Sequence, residues 1–128
     1  MQDIKKILHV EDDPDIREIA SLALVDLGGF ELLQCESGDI AVQKAEGFGP
    51  DVIVLDMMMP GMTGIETLAA LREIPALAET PAIFMTSKNV ATEHQGAIRN
   101  QAIGAIQKPF DPVTLPDQIR QLAMKALA

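Results

Sequence analysis

The sequence predicts an α/β fold in which a parallel sheet of five strands lies between two layers of helices. Five strand-length apolar runs alternate with five stretches of helical spacing over the 128 residues. Such alternation indicates βαβ units, which place helices on both faces of a parallel sheet. The run at 52–55 is apolar throughout, as in a strand buried on both faces. It stops at the carboxylate of Asp56, shortly before the turn signal Pro60-Gly61.

The first half of the chain is predicted to form three strands and two helices. The first helix begins at Asp13-Pro14, because Asp is a preferred N-cap and Pro is favoured at the first helical position. Gly28-Gly29 ends that helix, and Ser37 caps the next one. The strands are predicted at 4–10, 30–35 and 52–55, and the helices at 14–27 and 38–46, with Ile16, Ile19, Ala20, Ala23, Leu24 and Leu27 as the apolar positions of the first helix.

The following segment is predicted to contain two helices and two strands. A capping box over Thr63-Gly64-Ile65-Glu66 starts the third helix, which runs to about Glu73. The fourth helix contains Gly96 and few large apolar residues, so we expect it to be the least firmly packed. The strands are predicted at 82–85 and 105–107, and the fourth helix at 91–101.

The last helix has two possible starts. Asp111-Pro112 is a cap signal, but Pro116 then lies where an intrahelical N–H would be needed. Either the first turn is irregular, which we favour, or the helix starts nearer Thr114. Its expected anchors in the core are Ile119, Leu122 and Met124.

Composition limits the class of protein. The formal net charge is −9, and hydrophobic residues make up 48% of the chain, with no Trp or Tyr. The charge argues against a nucleic-acid surface and an anionic membrane, since both require clustered Lys and Arg. The N-terminus does not resemble a signal peptide, and no apolar run has the length of a membrane span. The single Cys35 cannot form an internal disulfide, so we expect a cytoplasmic protein of one domain, residues 1–128.

Charged and polar residues follow four of the five predicted strands. Glu11 and Asp12 follow the first, Asp56 the third, Thr86 the fourth and Lys108 the fifth. Each alone has an ordinary explanation as a cap, turn or surface residue, but in a right-handed parallel α/β sheet all these strand ends lie at one edge. Three carboxylates in close contact repel one another, and a hard divalent cation such as Mg²⁺ relieves the repulsion.

These residues together predict phosphoryl chemistry. Asp56 is the candidate nucleophile, because a carboxylate can form an aspartyl phosphate. Lys108 and the Thr86 hydroxyl would neutralise and hydrogen-bond the phosphoryl oxygens. His9, inside the first strand, is interpreted as a core or near-site packing residue.

The sequence resembles the response-regulator receiver domains of two-component signalling over essentially its whole length, most of all the stand-alone receivers of chemotaxis. The resemblance implies a flavodoxin-like (βα)5 fold with strand order 2-1-3-4-5. It also implies a cis Lys108-Pro109 bond. The stretches that carry it are Ile7-Leu8-His9-Val10-Glu11-Asp12-Asp13-Pro14, Val54-Leu55-Asp56-Met57-Met58-Met59-Pro60-Gly61-Met62-Thr63-Gly64, Met85-Thr86-Ser87 and Lys108-Pro109-Phe110.

The resemblance also assigns roles within a two-component phosphorelay. It implies Mg²⁺-dependent transfer of a phosphoryl group to Asp56 from a histidine kinase or histidine phosphotransfer protein. Asp12 corresponds to the direct metal ligand, Glu11 to its neighbour that often acts through water, and the backbone carbonyl of Met58 to a further ligand. Thr86 corresponds to the switch hydroxyl and Lys108 to the lysine that contacts the phosphoryl group. Output to a downstream protein would use the loop after Thr86 and the face of the fourth helix, fifth strand and fifth helix.

The chain departs from the family at Ala105, where an aromatic residue is usual. The aromatic half of the conformational switch is therefore missing. We expect a signalling receiver, which is not an enzyme beyond its own phosphorylation and dephosphorylation, and two alternatives fit the sequence less well. A Mg²⁺-dependent phosphohydrolase would need a second acid at Met58 and an inserted cap, and a docking module without phosphorylation would not need the full residue set. The receiver could stand alone or belong to a longer regulator or hybrid kinase.

Overall fold

The computed structural model describes residues 4–127, and it contains one five-stranded parallel sheet within that range. The strand order is β2-β1-β3-β4-β5, and each neighbouring pair is parallel, so the predicted fold class is confirmed. The remaining residues of the predicted 1–128 domain lie outside the described range. The strands are β1 (Lys6–Val10), β2 (Glu31–Cys35), β3 (Val52–Asp56), β4 (Ala82–Thr86) and β5 (Gly104–Gln107).

The helices lie between consecutive strands, except for the last, which follows β5, and the first three carry the N-caps that the sequence predicted. Asp13, Ser37 and Thr63 each accept a main-chain N–H with the side chain, and Thr63 forms a complete capping box with Glu66. No helix within residues 4–127 is long and apolar enough to cross a bilayer. The helices are α1 (Pro14–Ser21, continued by a π-helical segment at Leu22–Leu27), α2 (Gly38–Phe48), α3 (Gly64–Arg72), α4 (Lys88–Glu93), α5 (Gln95–Gln101) and α6 (Leu115–Leu127), with a 3₁₀ turn at Pro75–Leu77.

The core lies on both faces of the sheet. Every residue of β3 and β4 is buried, as expected for central strands of a parallel sheet. One apolar cluster joins the sheet to α2 and α3, and the other joins it to α1 and α6. Because successive side chains of a strand point to opposite faces, β3 supplies Ile53 and Leu55 to the first cluster and Val52 and Val54 to the second.

The predicted fourth helix was wrong as a single element, because it is two short helices that meet at His94. His94 has φ −117° and ψ 27°, outside the helical region. Neither α4 nor α5, both described in full, contains a buried residue, so no packing selects one continuous helix. The Thr92 hydroxyl donates to the Lys88 carbonyl 3.0 Å away, a contact that bends helices. The low packing expected from the sequence is therefore confirmed, and the continuity is not.

Some apolar positions of the first and last helices are exposed. Met124, an expected core anchor of the last helix, is 53% exposed, so that assignment was wrong. Ile19 and Leu27, two apolar positions of the first helix, are exposed by 43% and 63%. Leu27 lies at the end of the π-helical segment, where the wider winding changes which positions face the sheet. The last helix is preceded by an irregular turn, in which the Leu115 N–H donates to the Asp111 carbonyl at 3.0 Å. The helix itself begins at Leu115, so the structure agrees with the alternative start nearer Thr114, and the favoured start at Asp111-Pro112 was wrong.

Asp51 fastens the amino-terminal edge of the sheet. One carboxylate oxygen of Asp51, just before β3, accepts the main-chain N–H groups of Lys5 and Lys6, each at 2.9 Å. The Asp51 N–H in turn donates to the Lys6 carbonyl at 2.8 Å. This carboxylate therefore has a structural role at the end of the sheet opposite to Asp56.

Candidate functional site

The carboxyl ends of β1, β3 and β5 bring four charged side chains together. Glu11 and Asp12 follow β1, Asp56 ends β3 and Lys108 follows β5. The ammonium of Lys108 lies 3.0 Å from Glu11 Oε1 and 3.3 Å from Asp56 Oδ1, so it bridges carboxylates from two strands. One carboxylate oxygen from each of Glu11, Asp12 and Asp56 lies within 4.8 Å of the other two. We call these four residues the acidic cluster.

Thr86 ends the neighbouring strand β4 and is buried, but its hydroxyl hydrogen bonds outside the acidic cluster. It donates to the main-chain carbonyl of Ser87 at 3.2 Å. Ser87 is the N-cap of α4, and its own hydroxyl accepts the Val90 N–H at 3.3 Å. The Thr86 hydroxyl is therefore attached to the start of α4.

The loop after Asp56 is held by a close approach of α3 to the end of β3. The Gly64 N–H donates to the Met57 carbonyl at 2.9 Å. A side chain at Gly64 would collide with the main chain of Asp56 and Met57, so only glycine lets α3 begin so close to the strand. The capping box between Thr63 and Glu66 fixes the same turn through bonds of 3.0 and 3.2 Å. Asp56 therefore lies at the end of a buried strand, and the loop after it is held in place by hydrogen bonds.

Burial dominates the electrostatics of the acidic cluster. Burial raises the pKa of Glu11 to about 7, against the stabilising hydrogen bonds from the Asp13 N–H and Lys108. Burial likewise raises the pKa of Asp56, although the charge of Lys108 opposes the shift. For Lys108, burial works to lower the pKa, but the two carboxylate partners outweigh it and raise the pKa overall. Three carboxyl groups beside one ammonium leave the cluster short of positive charge.

The donor set of the acidic cluster fits a hard divalent cation. All three candidate side-chain ligands are carboxylates, and oxygen ligands are those that Mg²⁺ and Ca²⁺ prefer. A cation would also remove the cost of keeping Glu11 and Asp56 ionised side by side. Met58, whose carbonyl is implied as a further ligand, lies two residues after Asp56 with its side chain 55% exposed.

Sequence reasoning missed a hydrogen-bond network beside the acidic cluster. Arg17 Nη1 donates to the main-chain carbonyls of Glu11 and Asp12 at 2.8 and 3.1 Å. The side-chain amide of Gln34 donates to the Arg17 carbonyl at 2.8 Å and lies 3.1 Å from His9 Nδ1. A signal was present in the sequence, because a cation near the amino-terminal end of a helix opposes the helix dipole. The interpretation of His9 as a buried packing residue is confirmed.

Comparison with protein families decides the class. The family described as response regulator receiver domain matches residues 7–120. The chain belongs to the response-regulator receiver family. The receiver fold is also found by structural comparison: the chemotaxis response regulator CheY4 of Vibrio cholerae superposes with a TM-score of 0.84 and 32% identity, over 94% of this chain and 99% of that structure.

Curated relatives of this receiver include longer regulators. The phosphate regulon transcriptional regulatory protein PhoB of Escherichia coli strain K12 is 31% identical over 116 residues, and PhoB of Pseudomonas aeruginosa is 34% identical over 119. Each match covers 91% of this chain but 50% of the relative, so the chain spans about half the length of these proteins. An uncharacterized 14.6 kDa protein of Leptolyngbya boryana is 31% identical, with 92% of this chain and 89% of the relative covered.

Proposed function

We propose that this receiver accepts a phosphoryl group on Asp56 from a phosphohistidine donor, in a Mg²⁺-dependent reaction, and passes a conformational signal to a protein partner. The observation that carries the proposal is the bridge from Lys108 to Asp56 and Glu11 at 3.3 and 3.0 Å, with Asp12 in the same cluster. A nucleophilic carboxylate, two further acids and a cation on one sheet edge are the groups that phosphoryl transfer needs.

In the transfer step, a carboxylate oxygen of Asp56 attacks phosphorus in line with the phosphorus–nitrogen bond of the donor. The oxygen–phosphorus bond forms as the phosphorus–nitrogen bond breaks, and the imidazole leaves with the bonding electron pair and takes up a proton. The Lys108 ammonium, already beside Asp56, would neutralise charge on the transferred oxygens. The rigid end of β3 holds the nucleophile, so little motion is needed to align it.

The acidic cluster would hold Mg²⁺ through Asp12, Asp56 and the Met58 carbonyl, with Glu11 acting directly or through water. When bound, the ion would neutralise charge on the carboxylates and on the phosphoryl oxygens. The chemistry is confined to the protein's own aspartate, so the chain acts as a signalling receiver that catalyses only its own phosphorylation and dephosphorylation.

The output is proposed to start at Thr86. Its hydroxyl is bonded to Ser87, the N-cap of α4, so reorientation toward a phosphoryl group on Asp56 would release this contact at the start of α4. A groove of about 410 Å³ adjoins Thr86, where Ala105 leaves space between β5 and the helices α4 and α5. We place the contact with the downstream partner on this face, formed by α4, α5, β5 and α6.

Intact-mass spectrometry tests the phosphorylation directly. The protein is incubated with Mg²⁺ and a small acyl phosphate, and the mass of wild type is compared with those of Asp56→Asn and Asp51→Asn. Asp51 is a matched control, because it is also an aspartate beside β3 but lies at the opposite edge of the sheet. We expect one phosphoryl group on wild type and on Asp51→Asn, none on Asp56→Asn, and none on wild type when Mg²⁺ is removed by a chelator.

Two results would contradict the proposal. A folded wild-type protein that gains no mass would not be a phospho-acceptor, and the docking-module alternative would replace it. Phosphoryl uptake that persists in Asp56→Asn would place the acceptor on another residue. If Asp56 does accept a phosphoryl group from the acyl phosphate, transfer from a purified histidine phosphotransfer protein tests the class of the natural donor.

A further inference from the structure

We propose that Arg17 is a positioning residue for the metal ligands of the acidic cluster, with Gln34 and His9 supporting it. The inference rests on the proposed Mg²⁺ site and adds a second layer of residues behind it. Arg17 Nη1 donates to two consecutive main-chain carbonyls, those of Glu11 and Asp12, at 2.8 and 3.1 Å. This fork fixes the backbone at the two residues whose side chains enter the cluster.

The backbone at Glu11 and Asp12 needs such a support. The Glu11 N–H still bonds to the Cys35 carbonyl at 3.0 Å, but β1 ends at Val10 and its ladder to β3 ends there too. Asp12 is exposed and lies between the strand and the N-cap of α1. The Arg17 guanidinium, held by α1, is therefore a link from the first helix to the carbonyls of this short segment.

Gln34 determines which way the supporting residues point. Its amide nitrogen donates to the Arg17 carbonyl at 2.8 Å, and a carbonyl only accepts, so the orientation of the amide is set. The same nitrogen lies 3.1 Å from His9 Nδ1, which must then be the accepting, unprotonated ring nitrogen. A neutral His9 carries its proton on Nε2, and this buried atom has no hydrogen-bond partner within residues 4–127.

This hydrogen-bond network contains two features that lower the stability of the fold. A buried donor without a partner destabilises the fold, and so does a cation near the amino-terminal end of a helix. Both costs occur in one network, and that network ends on the carbonyls of two candidate metal ligands. Groups that orient metal ligands from behind usually change metal affinity by about 10–100-fold when they are removed.

The charge of Arg17 and its hydrogen bonds to the two carbonyls should have opposite effects on the binding of a divalent cation. If the guanidinium acted only through its charge, its removal would tighten the binding of a divalent cation to the nearby carboxylates. If it fixes the carbonyls of Glu11 and Asp12, its removal would weaken binding, because the ligands must be ordered when the ion binds. Weaker binding of the cation after removal of Arg17 would therefore indicate a positioning role, since loss of the charge alone would make binding tighter.

The test is the dissociation constant of Mg²⁺, measured by isothermal titration calorimetry at a salt concentration of about 0.15 M, which screens exposed charges. The variants are Arg17→Ala, Arg17→Lys and Gln34→Met. Arg72→Ala is a matched control, because Arg72 Nη1 also donates to two carbonyls, those of Leu77 and Thr80, at the far end of α3.

We expect Arg17→Ala to bind Mg²⁺ about 10-fold more weakly or worse. Arg17→Lys keeps the charge but not the fork, so it too should bind more weakly, and Gln34→Met should show a smaller loss. Arg72→Ala should lose stability with an unchanged dissociation constant. The rate of phosphoryl uptake by the Arg17 variants should be restored at saturating Mg²⁺, which a general folding defect would not allow.

Equal or tighter Mg²⁺ binding by Arg17→Ala would overturn the inference, as would weaker binding of the same size in Arg72→Ala. If Arg17→Ala does not fold, Arg17→Lys and Gln34→Met decide, and unchanged binding in both would reject the positioning role. A wild-type protein that binds no Mg²⁺ would instead contradict the proposed function. A wild type that binds Mg²⁺ and takes up phosphoryl, beside variants of unchanged affinity, would contradict only the role of Arg17.

Discussion

The two strand ends that carry Asp56 and Lys108 differ sharply in how they are held. In β3 every residue is buried, and α3 packs so closely behind it that Gly64 admits no side chain. In β5 only Ile106 is buried, and the helices beside it, α4 and α5, are described in full and contain no buried residue. The proposed nucleophile, Asp56, thus lies on the firmly packed part of the sheet, whereas Lys108 and the proposed output face belong to a loosely packed part.

This difference fits the demands of the two tasks. Phosphoryl transfer needs the reacting groups to be placed in advance, because misalignment is costly in rate. A signal needs an element with more than one accessible arrangement, which must come from the less stable part of a structure. Substitutions in each region therefore test whether the chemistry and the signal are separable.

Replacing Lys108 tests whether the loosely packed strand still contributes to the chemistry. We expect Lys108→Met to slow phosphoryl uptake by about 10²–10³-fold, the usual cost of removing one donor that stabilises a transition state. Uptake is measured by intact mass against time at saturating Mg²⁺. Lys125→Met, on the exposed side of α6, is the control, and a loss of less than twofold in Lys108→Met would remove Lys108 from the reaction.

His9 makes the stability of the rigid part depend on pH. Burial, assisted by the charges of Lys108 and Arg17, lowers the pKa of His9 from 6.5 to about 4. The unfolded chain therefore binds a proton between these values that the native protein does not. The neutral state of His9 therefore contributes about 3 kcal/mol to the free energy of unfolding above pH 6.5, and this contribution is lost as the pH falls to 4.

The measurement is the free energy of unfolding by urea from pH 4 to pH 7.5 for wild type and His9→Leu, with a chelator present. Glu11 has the opposite effect on the pH dependence because its pKa is raised, but it is present in both proteins and cancels in the difference. Wild type should gain stability relative to His9→Leu as pH rises from 4 to 6.5. A difference that does not change with pH would show that His9 is not held neutral.

Substitution of alanine for one glycine in each region compares their packing directly. At Gly64 an added Cβ would meet main-chain atoms of Asp56 and Met57, whereas at Gly96 it would meet nothing within 4 Å beyond its chain neighbours and the backbone of its own helix. We expect Gly64→Ala to destabilise by about 1–3 kcal/mol through overpacking. Gly96→Ala, within α5, should stabilise by about 0.5–1 kcal/mol through its higher helix propensity. Urea unfolding measures both, and effects of the same sign would contradict the contrast in packing.

Replacing Ala105 should change the rate of phosphoryl uptake less than any of the other substitutions in the chemistry of the site. Ala105→Tyr places a ring in the groove beside Thr86 without touching the acidic cluster, so the rate of phosphoryl uptake should stay within about twofold of wild type. Amide hydrogen exchange in α4 and α5 should slow, because the ring adds apolar contacts there. A large loss of uptake would mean that the two regions are not separable.

The sequence predicted the sheet and most of the candidate site because both depend largely on local signals. Buried strands are apolar runs, the caps at Asp13, Ser37 and Thr63 are short-range patterns, and parallel strands end at one edge. The break at His94 could not be predicted, because it follows from missing tertiary contacts and not from a breaker residue. The exposure of Met124 was missed for a related reason, since apolar periodicity does not say how wide the buried stripe of a helix is.

The network of Arg17, Gln34 and His9 was missed because its members are separated in sequence. Residues 9, 17 and 34 meet only when β1, α1 and β2 are packed together. A charged residue early in a helix is weak evidence alone, and a glutamine in a strand is weaker still. Long-range polar networks of this kind become visible only with the donors and acceptors in place.

The interruption at His94 has a consequence for affinity. A helix of six residues, such as α4, is too short to be stable in isolation, because helix nucleation is unfavourable. Its helical form in the protein therefore depends on contacts at its ends, such as the cap from Ser87. Release of the hydrogen bond from Thr86 to Ser87 would free the start of α4 to adopt a second arrangement, and a partner that binds only that arrangement would gain affinity without forming any additional contact.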